Sequence, residues 1–159
     1  MMTDGMIETL DRRTFLCGAG GAIVAGLGMY DAALAQDKPP AGWEEAVKKI
    51  VGNAKPIEGK VKLDLPEIAE NGNTVPFTVA VESPMTEQLH VKSIHIISTG
   101  NPQPGVAAFH FTPQSGKAMV SGRLRLARTQ EIVSVAELSD GSFHIGRRIV
   151  KVTIGGCGG

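Results

Sequence analysis

The sequence predicts an all-β domain, an immunoglobulin-like antiparallel β-sandwich of about seven strands, preceded by a short N-terminal helix and followed by a flexible Gly-Gly-Cys-Gly-Gly arm. Three observations lead there. From Lys60 onward apolar residues recur with period two, as in Val61, Leu63, Leu65 and again in Val75, Phe77, Val79, Val81, the spacing of half-buried strands. Turn-forming clusters interrupt these runs at short intervals: Glu70-Asn71-Gly72-Asn73, Ser83-Pro84, Asn101 to Gly105, Pro113 to Gly116 and Asp140-Gly141. They leave no room for crossover helices, so every strand pair is expected to be antiparallel.

The first 35 residues read as a cleaved targeting segment. Arg12-Arg13-Thr14-Phe15-Leu16 precedes an uncharged, Gly/Ala-rich run from Cys17 to Tyr30, and Ala33-Leu34-Ala35 fits the small-residue cleavage rule. The paired arginines resemble a twin-arginine export signal, with Asp11 and Cys17 as departures from the usual pattern. A membrane anchor needs about 20 strongly apolar residues, and the glycines and alanines dilute this run too far. The expected division is 1–35 signal, 36–154 sandwich and 155–159 arm, with the mature protein in the periplasm.

Removing 35 of 159 residues leaves 124, the size of one ordinary domain. At that size roughly two-thirds of the unfolded surface is buried on folding, so neither disulfide nor metal is needed for a core. Two arginines and four acids leave with the signal, and the 16 bases and 16 acids of the whole chain become a net +2. Nothing in that balance calls for nucleic acid or an anionic membrane.

After a Pro-rich lead, Trp43, Val47, Ile50 and Val51 fall on one helical face, with Glu44 and Glu45 first and Lys48 and Lys49 last, as the helix dipole favours. Gly52-Asn53 and Pro56 end that helix, and Trp43 is expected to pin it to the sheet. Ala118, Val120, Leu124 and Leu126 give a further alternating run; His90–Ser98, Val106–Phe111 and Glu131–Leu138 are less regular strands. Asp140-Gly141 is the strongest hairpin signal. In the last strand Phe143 and Ile145 are odd-numbered, whereas Val150, Val152 and Ile154 are even. That change of face predicts a bulge at Gly146-Arg147, and the fold's hold on the chain is expected to end at Ile154.

Few residues suggest chemistry in the body. His90, His95, His110 and His144 lack a second ligand at metal spacing and read as solvent-facing strand residues. A blue-copper site would want two His, a Cys and an axial Met together, and only glycine follows Cys157. No Ser/His/Asp arrangement, phosphate loop or carboxylate pair stands out, so no catalytic residue, metal ligand or cofactor is assigned. Arg123, Arg125, Arg128, Arg147 and Arg148 form a basic cluster that reads first as a solvated strand face.

What remains is Gly155-Gly156-Cys157-Gly158-Gly159. Cys17 leaves with the signal, so Cys157 is the only cysteine of the mature chain, and an odd cysteine in an exported protein is a free reactive thiol or half of an intermolecular bond. Glycine is thin and conformationally permissive, so Gly155, Gly156, Gly158 and Gly159 suit a flexible arm on which Cys157 could reach on the order of 10 Å. A free thiol has a pKa near 8.5, and glycines supply no base or cation to lower it, so activation is expected from a partner. Ordering five such residues costs roughly 5–10 kcal/mol, which keeps encounters brief.

The run Ile149 to Gly159, with its terminal Gly-Gly-Cys-Gly-Gly, closely resembles the carboxy terminus of the SoxY family, the sulfur carriers of periplasmic thiosulfate oxidation. Signal, helix, sandwich and tail follow in the same order. The resemblance implies a non-catalytic carrier without cofactor: Cys157 is the attachment site for S-thiosulfonate and persulfide intermediates, carried on the four glycines. It implies a heterodimer with a SoxZ-like subunit, a c-type cytochrome that loads thiosulfate, a dimanganese hydrolase that releases sulfate, and a sulfane dehydrogenase for the remaining sulfur. The alternative is an exported immunoglobulin-like binding module that dimerises through Cys157. Ubiquitin-like thiocarboxylate carriers also end in Gly-Gly, but they are cytoplasmic and need no cysteine there.

Overall fold

The computed structural model describes residues 42–156. Helix α1 (Trp43–Val51) carries its acids in the first turn and its lysines in the last, and ends where Gly52, at φ 61°, turns its N–H back to the Lys48 carbonyl at 2.8 Å. Nine strands follow among the described residues: β1 (Ile57–Glu58), β2 (Val61–Asp64), β3 (Ile68–Asn71), β4 (Val75–Val81), β5 (Val91–Ser98), β6 (Gly105–His110), β7 (Ala118–Leu124), β8 (Gln130–Leu138) and β9 (Phe143–Ile154). One sheet runs β1-β9-β8-β5-β6, with β3 also paired to β9; the other runs β2-β4-β7. The expected immunoglobulin-like sandwich is therefore present, with two more strands than the seven anticipated.

The core lies between the sheets. Val75, Val79, Ile94, Ile96, Ile132, Leu138 and Val150 are fully buried there, with Leu126 closing one end. Each such side chain contributes about 1.5–3 kcal/mol on leaving water. β4 faces both neighbours, yet it contains Pro76. The proline is tolerated because β2 pairs only with Thr78–Val81, leaving that side of Pro76 without a strand partner. Opposite Phe77 in the register stands Gly122, where a Cβ would sit 3.0 Å from the phenyl ring.

A second apolar cluster lies on the outer face of the larger sheet. Ile97, Val133, Val135 and Ile145 are buried there under Val51 of α1, with Trp43, Ala46, Val47, Ile50 and Phe143 half-buried around them. Trp43 does pin the helix to the sheet, and the Arg147 guanidinium lies 5.5 Å from its ring centre, within cation–π range.

Three expectations need correction. The sheets are not wholly antiparallel: β1 and β3 both pair parallel with β9. A parallel pair needs a long connection, and here almost the entire domain separates the partners, so no crossover helix is required. Nor is there a bulge at Gly146-Arg147, since β8 and β9 stay in continuous register from Glu137↔Phe143 to Gln130↔Val150. The hydrophobic face switches because the cover switches. Phe143 and Ile145 point to α1, while Val150 and Val152 point between the sheets. Gly146 instead admits β2: a Cβ there would be 2.9 Å from both Cγ1 and the carbonyl oxygen of Val61. Finally, His144 is not solvent-facing. It is 5% exposed, on the strand face that points between the sheets.

Candidate functional site

The end of β9 is gripped from both sides. On one side runs β3 and its turn into β4; the Thr153 hydroxyl donates to the carbonyls of Glu70 (3.0 Å) and Ala69 (3.3 Å), and the Gly72 N–H donates to the Ile154 carbonyl at 2.8 Å. On the other side lies the irregular segment 125–129 between β7 and β8. Its Thr129 hydroxyl accepts from the Val152 N–H at 2.9 Å, and the Leu126 carbonyl accepts from the Gly156 N–H at 2.9 Å. Gly155 is exposed, whereas Gly156 is buried. Hydrogen bonding to the body therefore runs two residues past its expected end at Ile154.

Segment 125–129 has no regular ladder of its own; besides the backbone bonds at Leu126 it is held by side chains. The Asn101 Oδ1 accepts from the Ala127 N–H (3.0 Å) and from Gln130 Nε2 (2.8 Å), while Asn101 Nδ2 donates to the Arg125 carbonyl (2.8 Å). Gln130, itself buried, accepts the Gly100 N–H at 2.7 Å. Short amides suit this work because one planar group satisfies a backbone donor and a backbone acceptor together. Neither Asn101 nor Gln130 is singled out by the sequence, where Asn101 reads only as the start of a Pro-rich loop. Gly72, too, reads there simply as a turn residue.

Cys157, Gly158 and Gly159 lie outside the described residues, as does the signal segment 1–35. Of the five residues assigned to the arm, Gly155 and Gly156 are described, at the end of β9 between the turn at Gly72 and segment 125–129. The basic cluster divides. Arg125 lies against Gly156, such that a Cβ on that glycine would be 3.0 Å from the arginine Cγ. Arg147 and Arg148 instead line a cleft of about 530 Å³ with Glu67, Ile68, Glu131, Ile149 and Lys151. Both are paired there, Arg147 with Glu131 at 3.4 Å and Arg148 with Glu67 at 3.6 Å.

The histidines do not converge on a metal. Among the described residues no group of three His, Cys, Asp or Glu side chains comes together. His95 and His110 stand edge to face with centroids 6.3 Å apart, and His95 Nε2 is 3.2 Å from the Ser93 hydroxyl. Burial first, and then the charge of His110, lower the His95 pKa, against a weaker pull from Glu137. The His144 pKa is likewise lowered, by burial and then by Lys60, against Asp140. Both rings are accordingly biased to the neutral form.

Comparison with known proteins follows the same lines. The model of the family described as "Sulfur oxidation protein SoxY" matches residues 47–157. Among solved structures, the sulfur carrier protein SoxY from Chlorobium limicola f thiosulfatophilum is similar at 36% identity and a TM-score of 0.59, over 70% of this chain and 96% of that one. A superoxide reductase (neelaredoxin) from Ignicoccus hospitalis aligns at 17% identity and a TM-score of 0.52, over 59% of this chain and 80% of that one. A putative superoxide reductase from Thermotoga maritima aligns at 17% and 0.51, over 62% and 87%. At such identity the reductases share the sandwich alone. No curated protein sequence matches the chain.

Proposed function

Since this chain belongs to the SoxY family of sulfur oxidation proteins, we propose that it carries sulfur covalently on Cys157 and presents it to partner enzymes. The observation that carries this reading is the extent of the family match, which runs through residue 157 and so includes the thiol itself. Gly156 is held at the end of β9, and the α-carbon of the next residue lies about 3.8 Å further on. The thiol therefore follows directly from the edge of the folded body.

The cycle balances as follows. The Cys157 thiolate and thiosulfate lose two electrons to a c-type cytochrome, and a sulfur–sulfur bond forms to give the S-thiosulfonate. Water then cleaves the bond between sulfane sulfur and sulfonate in a dimanganese hydrolase, releasing sulfate and a proton and leaving a cysteine persulfide. A sulfane dehydrogenase takes six electrons from that persulfide with three waters, giving a cysteine S-sulfonate and seven protons; a second hydrolysis returns the free thiol and sulfate. The carrier needs no cofactor of its own, because every electron leaves through a partner. We further propose that it works in the periplasm, exported through Arg12-Arg13, as a heterodimer with a SoxZ-like subunit.

Intact mass decides the central point. The mature protein incubated with thiosulfate and the cytochrome should gain one thiosulfate-sized adduct, and Cys157→Ser should gain none while melting at the same temperature. A protein that forms only a Cys157 disulfide dimer and never accepts sulfur would instead be a binding module.

A further inference from the structure

Three stretches of backbone meet at the end of β9 and close a ring of hydrogen bonds. The Gly72 N–H donates to the Ile154 carbonyl (2.8 Å), the Leu126 N–H to the Gly72 carbonyl (2.7 Å), and the Gly156 N–H to the Leu126 carbonyl (2.9 Å). Each stretch both gives and accepts. We propose that this ring is a clasp on the carrier arm: Gly72, with Gly155 and Gly156, fixes where the arm leaves the body, and opening it lengthens the arm by two residues. The inference deepens the carrier reading and rests on it for its functional half.

Space is what demands glycine at these positions. The described glycines with left-handed backbone are Gly52, Gly59, Gly116 and Gly141, and none of the clasp glycines is among them. A Cβ on Gly72 would collide with the Leu126 carbonyl oxygen and lie 2.6 Å from the Gly156 nitrogen. One on Gly155 would collide with the Ala127 carbonyl oxygen, and one on Gly156 would be 3.0 Å from the Gly72 oxygen and 3.1 Å from Asn73 Oδ1. Gly105 and Gly141, by contrast, have open space around them. At the three clasp positions it is contact that leaves a side chain no room.

Closing the clasp shortens the arm. With the tail released back to Ile154, Gly155 and Gly156 join the arm and add about 7 Å of extended chain. The bond that breaks, from the Gly156 N–H to the Leu126 carbonyl, lies at the end of the sandwich, beside the exposed Gly155 and Ile154. Opening therefore exchanges protein partners for water and leaves the core between the sheets in place. A partner whose reacting centre lies deep takes the open arm, so its apparent affinity is reduced by the fraction clasped. Gly72 is thus a positioning residue that acts on Cys157 through the tail.

Gly72→Ala tests this without touching the arm, in the mature protein purified with whatever subunit accompanies it. Amide hydrogen exchange at Gly156 should be protected in the parent and about tenfold or more faster in Gly72→Ala, while Ile96 and Val135 in the sheet keep their protection. Loading by thiosulfate and the cytochrome should accelerate about fivefold, the change one ordinary hydrogen bond makes in an equilibrium. If Gly72→Ala fails to fold, Gly155→Ala serves for the exchange arm, because its clash lies outside the core. An unprotected Gly156 amide in the parent, or equal protection at Gly156 in parent and variant, overturns the clasp. Lost protection with unchanged loading overturns its control of reach. Lost protection in a protein that never accepts sulfur supports the clasp and overturns the carrier reading instead.

Discussion

Asn101→Ala should be among the more costly substitutions of a residue that is not in the core. Its amide makes three hydrogen bonds, at 3.0, 2.8 and 2.8 Å, to Ala127, Gln130 and Arg125. At about 0.5–1.5 kcal/mol net for each, the sum centres near 3 kcal/mol. Water can take over at the Arg125 carbonyl, which belongs to an exposed residue, but less readily at buried Gln130, whose Nε2 keeps only the Arg128 carbonyl at 3.2 Å. The expected loss is thus about 2 kcal/mol, read by urea unfolding as a lower midpoint at constant slope. In a thermal scan it corresponds to about 6–10 °C. Because Gln130 shares the network, the double variant with Gln130→Ala should fall short of the additive loss by about 1 kcal/mol. A cost under about 0.5 kcal/mol, or strict additivity, would show that segment 125–129 is held by something other than Asn101.

Gly146→Ala should destabilise by about 1–3 kcal/mol through overpacking against β2, and Val61→Ala should relieve only part of it, since the Val61 carbonyl is as close as the side chain; full relief in the double variant would refute the backbone contact. His144 is held neutral, so the unfolded chain takes up a proton more readily than the folded one and stability should fall as pH drops from about 7 through the ordinary histidine value near 6.5. Denaturation midpoints measured from pH 8 to 5 should flatten in His144→Leu, with the residual slope belonging to His95; an unchanged slope would remove His144 from the account. Replacing Arg12 and Arg13 together by lysine should leave uncleaved precursor in the cytoplasm, detected by cell fractionation and amino-terminal sequencing, and normal export of that form would exclude the twin-arginine route.

Local pattern alone determined a good deal here. Period-two alternation in Val75–Val81 and the Asp140-Gly141 turn describe single strands and single hairpins, which neighbouring residues suffice to specify. The helix at Trp43–Val51 is equally local, down to its ordered charges. The cysteine among glycines stands out for the opposite reason, since its pattern is neither a strand's nor a helix's. Only the tertiary structure decided which face each half of β9 presents. The same alternation fits a bulge or a straight strand covered on different faces, and the choice depends on where α1 and the second sheet lie. The parallel pairings of β1 and β3 were hidden likewise, because a pairing between residues some 80 positions apart leaves no mark in either segment. His144 turned inward, and Gly72 became a close contact as well as a turn, for that reason too. A side chain's burial, and the space a glycine must leave, are set by what arrives from elsewhere in the chain, and sequence neighbours carry no record of it.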